Sequence, residues 1–195
     1  RPGWVQRRLL ALLGAAAGLG QAPFDLWPAS ILALGALFLT YANSATARQA
    51  ASRVWAFGFG YFAFSLRWIV EPFLIDIARH GWMAPFALLL MGAGAALFWA
   101  LAAWVASRVA PGRIGMLGLL LVGAEVLRSL ILTGFPWALL GHVWVTTGLA
   151  QVAAFGGPHV LTLLTVICGV SVAALFSRER VMGFVTLGLV LALSF

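Results

Sequence analysis

Residues 84–107 read APFALLLMGAGAALFWALAAWVAS, a run of 24 residues that contains no charged side chain. An apolar helix of about 20 residues crosses the hydrocarbon core of a bilayer, so this run predicts a membrane-spanning helix. The whole chain has the same character, because 63% of its 195 residues are hydrophobic and only 9% are charged. A water-soluble domain of this size does not carry such a composition. We therefore predict an integral membrane protein.

Apolar runs between charges and turn signals indicate about seven membrane spans. They lie at about 4–22, 27–43, 54–71, 84–107, 114–132, 159–176 and 181–195. The predicted fold class is therefore all-α, a polytopic transmembrane helix bundle that forms one domain over residues 1–195. The single cysteine, Cys168, lies within the sixth span, so one chain can build neither a disulfide nor a thiol metal site. We expect a packed thiol there, and we predict no metal and no cofactor.

The basic residues predict the orientation of the chain in the membrane. All twelve are arginines, and placing the N-terminus in the cytoplasm puts nine of them on the cytoplasmic side: Arg1, Arg7, Arg8, Arg48, Arg53, Arg108, Arg113, Arg178 and Arg180. Cytoplasmic loops retain an excess of positive charge, so this placement is the favoured one. Because the arginines alternate with apolar runs, nucleic acid is not a predicted partner. An odd number of spans then leaves residue 195 on the far side.

The uncharged segment 134–158 reads GFPWALLGHVWVTTGLAQVAAFGGP. Counting it as a further span would move Arg178 and Arg180 to the far side, against the charge rule. Its glycine, proline, threonine, histidine and glutamine content instead suits an interfacial or re-entrant segment between spans five and six. Five tryptophans fall on the same predicted face, as expected at headgroup depth: Trp27, Trp68, Trp82, Trp137 and Trp144.

Glu125 and Arg128 place two charges inside the fifth span, one helical turn apart. Each charge at the membrane centre costs about 2.5 to 3.5 kcal/mol, so such groups face the protein interior and have partners. Residues at i and i+3 can pair on one helix face. Two readings follow: a self-neutralising pair that fixes helix packing, or a pair that lines an outward-facing polar cavity and supports the next loop. Arg67 and Glu71, at i and i+4, form a second candidate pair.

Four motifs in this order resemble the membrane portion of bacterial apolipoprotein N-acyltransferase: GLGQAPFDLWP (18–28), FGFGYF (57–62), EVLR (125–128) and TGFPWALLG (133–141). The resemblance implies a multi-pass enzyme of the bacterial inner membrane. Such an enzyme holds a phospholipid acyl chain as a cysteine thioester and transfers it to the amino group of a lipidated apolipoprotein. The family's chemistry belongs to a periplasmic nitrilase-like domain with a Glu, Lys and Cys triad, followed by one more span.

This chain has no lysine, and its cysteine lies in mid-membrane, where burial disfavours a thiolate. The resemblance therefore implies that the catalytic domain and last span follow residue 195, that the C-terminus of this chain is periplasmic, and that the chain is inactive alone. No catalytic residue is assigned within it. Two alternatives remain open from the residues, namely a small multi-pass transporter and a non-catalytic lipid-binding scaffold.

The implied partners are phospholipid, lipidated apolipoprotein, the membrane and the missing nitrilase-like domain. On this reading, the fifth span and the following turn form an interfacial platform that lipid substrates enter sideways. Arg128 would attract a phosphate, Pro136 would fix the turn, and the aromatic rings would contact acyl chains or headgroup edges. The candidate substrate and lipid-binding residues are Glu125, Arg128, Phe135, Pro136, Trp137 and Trp144.

Overall fold

The structure is a computed structural model that describes residues 3–131 and 134–176. Within these ranges the chain has helices and no strands, which confirms the all-α part of the predicted fold class. The α-helices in chain order are α1 (Gly3–Gly18), α2 (Trp27–Ala42), α3 (Ala47–Ser65), α4 (Glu71–Leu74), α5 (Ile77–His80), α6 (Ala84–Val109), α7 (Ile114–Leu130) and α8 (Pro158–Leu175). Short 3-10 turns connect several of them. The predicted seventh span lies outside the described residues.

Two helical stretches of the described chain are long and apolar enough to cross a membrane by length and composition alone. They are Ile77–Val109 and Pro158–Leu175, and the apolar α2 is shorter. The remaining predicted spans correspond to α1, α3 and α7, which have 16, 19 and 17 residues. The number of spans therefore stays a prediction.

The helix at the third predicted span differs from the predicted bounds, about 54–71, at both ends. The helix begins at Ala47 because Thr46 caps it, its side chain accepting a hydrogen bond from the Gln49 N–H, so two arginines lie inside its first two turns. It ends at Ser65, and a 3-10 turn over Arg67–Val70 follows. Arg67 lies over the rings of Phe24 and Phe64 and donates to the Phe64 carbonyl.

Glycines set how closely α1, α3 and α6 pack. A Cβ atom on Gly14 of α1 would collide with the Phe57 carbonyl of α3, and one on Gly60 of α3 would collide with the Ala11 carbonyl of α1. Near the two ends, Gln6 of α1 contacts Arg53 of α3 and Gly18 contacts Phe64, so residue numbers increase together along the two helices. The helices α1 and α3 therefore run parallel, with their backbones in contact. Small residues allow such close approach between membrane helices, where apolar side chains gain little from leaving lipid.

An aromatic cluster around Trp99 forms the centre of the bundle. Trp99 of α6 is buried and stacks against Tyr61 at 5.2 Å, with Phe57 and Phe62 also in contact. Outside this core, large apolar side chains face outward, including Leu12, Leu32, Leu90 and Leu119, each more than 60% exposed. A surface this apolar suits hydrocarbon contact.

The connections that carry arginines meet at one end of the bundle. Arg53 donates to the Gln6 side chain near the N-terminus and to the Asn43 carbonyl in the α2–α3 connection. A Cβ atom on Gly112, in the α6–α7 connection, would lie 3.5 Å from the Ala42 carbonyl oxygen. This grouping agrees with the side assignment predicted from the arginines, while the identity of the cytoplasmic end stays a prediction.

Candidate functional site

Glu125 and Arg128 form a buried ion pair on α7. The Glu125 Oε1 atom accepts hydrogen bonds from Arg128 Nη2 at 3.2 Å and from the Trp99 indole at 2.8 Å. The exposed fractions of the two side chains are 0% and 2%, and the pair is the only salt bridge among residues 3–131 and 134–176. Buried charges persist when partners and hydrogen bonds compensate for lost hydration, as they do here.

The pair also holds the loop that follows α7. Arg128 Nη1 donates to the carbonyl oxygens of Phe135 at 2.7 Å and Trp137 at 2.8 Å. The second carboxylate oxygen of Glu125 accepts the Leu140 N–H at 3.2 Å. Buried backbone polar groups need hydrogen-bond partners, and these bonds supply partners for three backbone groups of the loop. The structure thus supports a packing role and a loop-supporting role for the same pair.

Three further polar residues complete this support, and none of them is among the site residues predicted from the sequence. Gln21, after α1, donates to the Leu139 carbonyl at 3.1 Å and to the Tyr61 hydroxyl at 2.7 Å. On α8, Thr165 donates to the Leu140 carbonyl and Thr162 accepts the Gly141 N–H. The sequence gives only a weak indication of this role. Each of these residues is a single polar residue within or beside an apolar run, and the two threonines are at i and i+3.

The four sequence motifs therefore meet at one place. Gln21 belongs to GLGQAPFDLWP, Tyr61 and Phe62 to FGFGYF, the ion pair to EVLR, and the held loop to TGFPWALLG. Phe62 also lies under the Arg128 guanidinium at 4.9 Å. Segments far apart in the chain thus contribute to a single buried network around residues 135–141.

The turn after α7 depends on an unusual backbone conformation. Gly134 has φ of +78°, and a Cβ atom there would lie 2.7 Å from the Ser129 carbonyl oxygen. Both the left-handed backbone and the close contact require glycine. Ala138 also has a positive φ, +54°, which costs energy for a residue with a side chain. The hydrogen bonds of the network keep this strained turn in place.

An apolar cavity of about 500 Å³ opens beside the network. One wall comes from α6, including Leu90, Gly94 and Phe98, and the other includes Arg128 and Phe135. Leu90, which lines the cavity, is 71% exposed, so the cavity opens to the side of the bundle. Arg128 is thus a buried charge at the edge of an apolar groove.

The remaining predicted residues divide into an exposed and a buried group. Pro136 and Trp137 are exposed, and the Trp137 ring lies 5.6 Å from Phe135 and 6.4 Å from Trp68. Trp144 is fully buried, with its indole donating to Thr165 at 2.8 Å and its ring 5.3 Å from Trp27. Trp137 therefore belongs to the surface around the site, and Trp144 packs behind it.

Two histidines lie near the network. Burial, together with the nearby Arg128 and His159, lowers the pKa of His142 below its ordinary value, so the neutral ring is favoured there. The His159 Nε2 atom lies 3.1 Å from the Ser129 hydroxyl. Cys168 is buried, as predicted. Within residues 3–131 and 134–176, no three histidine, cysteine or acidic residues are grouped to hold a metal ion.

Over the described residues, fold and site together define a class: a helical protein with outward apolar faces, in which a buried ion pair holds an irregular loop beside an apolar groove. The family model of the apolipoprotein N-acyltransferase N-terminal domain matches residues 13–171. The chain belongs to this family.

Relatives from several bacteria agree with this assignment. The apolipoprotein N-acyltransferase of Caulobacter vibrioides is 38% identical over 169 residues, covering 83% of this chain and 32% of the relative. That of Pseudomonas paraeruginosa is 34% identical over 186 residues, covering 92% and 36%. That of Pseudomonas syringae is 32% identical over 203 residues, covering 100% and 39%. The chain thus spans about a third of the length of these relatives.

Proposed function

We propose that this chain is the membrane domain of a phospholipid:apolipoprotein N-acyltransferase. It presents the phospholipid acyl donor and the diacylglyceryl-lipoprotein acceptor to a periplasmic nitrilase-like catalytic domain. In this proposal the chain crosses the bacterial inner membrane several times, with its N-terminus in the cytoplasm and the loop 134–157 at the periplasmic surface. The names of the relatives and the match to their N-terminal domain support the activity, and the arginine distribution supports the orientation.

The observation that carries the proposal is the loop held beside the groove. An acyl chain needs an apolar channel that opens to the bilayer, and the cavity between α6 and Phe135 has that character. A phospholipid also has a phosphate and ester groups at the interface. Arg128 lines the cavity, and its Nε atom is buried with no partner among the described residues. We infer that lipid entering sideways places its tail along α6 and its polar end near this guanidinium.

Three consecutive residues after Gly134 extend the platform around the groove. Phe135 lines the cavity itself, and Pro136 and Trp137 follow it on the surface. Trp137 combines a broad apolar ring with one N–H donor, which suits the boundary between headgroups and tails. We propose that Glu125 and Arg128 position this platform, that Phe135, Pro136 and Trp137 contact lipid, and that Trp144 supports them from behind.

Trp137→Ala in the whole protein, catalytic domain included, is expected to slow lipoprotein N-acylation by about two- to tenfold, which matches the usual contribution of one aromatic contact. The thermal unfolding midpoint should change little, because the ring is half exposed. Trp82→Ala is the matched control, since Trp82 is also exposed and its ring contacts Phe86 instead of the loop. Acylation at the parental rate in Trp137→Ala would leave this tryptophan without a role in lipid handling.

Gly94→Leu tests the groove directly. A Cβ atom on Gly94 meets no atom within 4 Å, so a leucine there fills the cavity without breaking a helix contact. We expect reduced crosslinking of a photoreactive phospholipid acyl chain to α6 and slower N-acylation, with unchanged folding. Gly123→Leu is the control, because Gly123 of α7 is equally open and does not line the cavity. Equal crosslinking in both variants would show that the acyl chain lies elsewhere.

A further inference from the structure

A second cavity, of about 510 Å³, lies at the end of the bundle where the arginines gather. It lies between the first turns of α1 and α3, and its lining includes Gln6, Arg7, Arg48, Ser52 and Arg53. We call it the basic cavity. Ser52 and Tyr61 are nine residues apart on α3, or about 13 Å along the helix, so the basic cavity is separate from the loop network.

The basic cavity concentrates positive charge without a balancing carboxylate. Three of its lining residues are arginines, and none is acidic. Arg53 is fixed by bonds to the carbonyls of Thr40 and Asn43 and to the Ser44 hydroxyl. Arg53 is therefore held in a fixed position, and the oxygens that accept its hydrogen bonds are all uncharged. Like charges that share a small space repel one another, and a bound anion relieves that repulsion.

The other two arginines are free to receive a ligand. Arg48 is exposed and forms no hydrogen bond or ion pair with any residue of the described ranges. Arg7 is also exposed, and its single bond, to the Ser52 hydroxyl, is long at 3.5 Å. Guanidinium groups bind phosphate oxygens in a forked geometry, and two of them at the mouth of one cavity can share a single phosphate.

We propose that the basic cavity binds the phosphate-bearing headgroup of an anionic phospholipid at the cytoplasmic surface. The apolar outer faces of the bundle place the cavity beside lipid, and basic pockets between membrane helices on the cytoplasmic side are suited to anionic headgroups. An excess of arginines on one side is enough to orient the chain in the membrane. It does not require arginines of α1 and α3 to line the same cavity, as they do here. This site is independent of acyl transfer, which belongs to the opposite end of the bundle.

The test compares charge removal inside and outside the basic cavity. The detergent-solubilised whole protein is titrated with dioleoyl phosphatidylglycerol or dioleoyl phosphatidylcholine, and bound lipid is counted by native mass spectrometry. We expect tighter binding of phosphatidylglycerol, weakened about fivefold by Arg48→Gln and by Arg7→Gln. Arg108→Gln is the matched control, because Arg108 is an exposed arginine of the same predicted side that does not line the cavity.

Three results would overturn the proposal. The first is equal binding of the two lipids, and the second is an equal loss in Arg108→Gln, which would indicate diffuse surface charge. The third is binding of inorganic phosphate that depends on Arg7 and Arg48 while phosphatidylglycerol binding does not, which would assign the cavity to a soluble anion. Thermal unfolding midpoints close to the parent's are expected for all variants, since Arg7, Arg48 and Arg108 are exposed.

Discussion

Glu125→Gln is expected to destabilise the protein by about 3 to 5 kcal/mol, the usual cost of removing one partner from a buried ion pair. The substitution leaves the Arg128 charge without its carboxylate in a site that is closed to water. It also replaces one of the two oxygens that accept from the Trp99 indole and the Leu140 N–H with an NH2 group, which can only donate. The loop should lose its fixed position, and the contact between α6 and α7 at Trp99 should weaken. A large fall in the thermal unfolding midpoint in detergent would measure this effect.

A double replacement separates the charge effect from the loop effect. Glu125→Leu combined with Arg128→Met removes both charges, so its free energy of unfolding should fall by less than the sum of the single changes. It should still lie below the parent, because Arg128 also donates to two loop carbonyls. Arg108→Gln removes an exposed charge and is expected to change stability by less than about 0.5 kcal/mol. Parental stability in Glu125→Gln would contradict the central role of the pair.

Gly14→Ala is expected to have the second large effect, because it inserts a methyl group where two backbones touch. The new Cβ atom would collide with the Phe57 carbonyl, which belongs to a helix backbone and cannot rotate away. Overpacking typically costs about 1 to 3 kcal/mol, and a backbone contact favours the upper part of that range. Gly60→Ala should behave alike, since it faces the Ala11 carbonyl from the other helix. Thermal unfolding in detergent measures both.

Gly123→Ala provides the control for these helix contacts. A Cβ atom at this position of α7 meets nothing within 4 Å. Alanine is favoured over glycine inside a helix by about 0.5 to 1 kcal/mol, so the variant should be neutral or slightly more stable. If Gly14→Ala and Gly123→Ala had the same stability, close contact between α1 and α3 would not be what holds these helices together.

The structure changes how the proposed lipid platform is expected to respond to mutation. From the sequence, Arg128 and Trp137 have similar roles at the interface. In the structure, Arg128 holds the loop from inside while Trp137 lies half exposed on its surface. Replacing Arg128 should therefore impair folding before lipid binding can be measured. Trp137 is the residue at which the two effects can be separated.

The helical class and the membrane setting could be predicted because they depend on composition and run length. The 24 uncharged residues from 84 to 107 leave few alternatives to a spanning helix, and the observed α6 begins at Ala84. The Glu125–Arg128 pair could also be predicted, since two opposite charges one helical turn apart in an apolar run stabilise each other. The bounds of the third helix are less predictable, because the uncharged run begins only after Arg53, whereas Thr46 caps a helix that already includes Arg48 and Arg53.

Composition and residue spacing are enough to predict a helical, strongly apolar chain with an ion pair followed by a turn. Which distant residues complete the network depends on the folded arrangement. Folding brings Trp99 to the ion pair, and it brings Gln21, Tyr61 and Thr165 to the loop. The local sequence pattern indicates that a polar group within an apolar run needs a hydrogen-bond partner. It does not indicate which residue is that partner, since this depends on how helices far apart in the chain pack together.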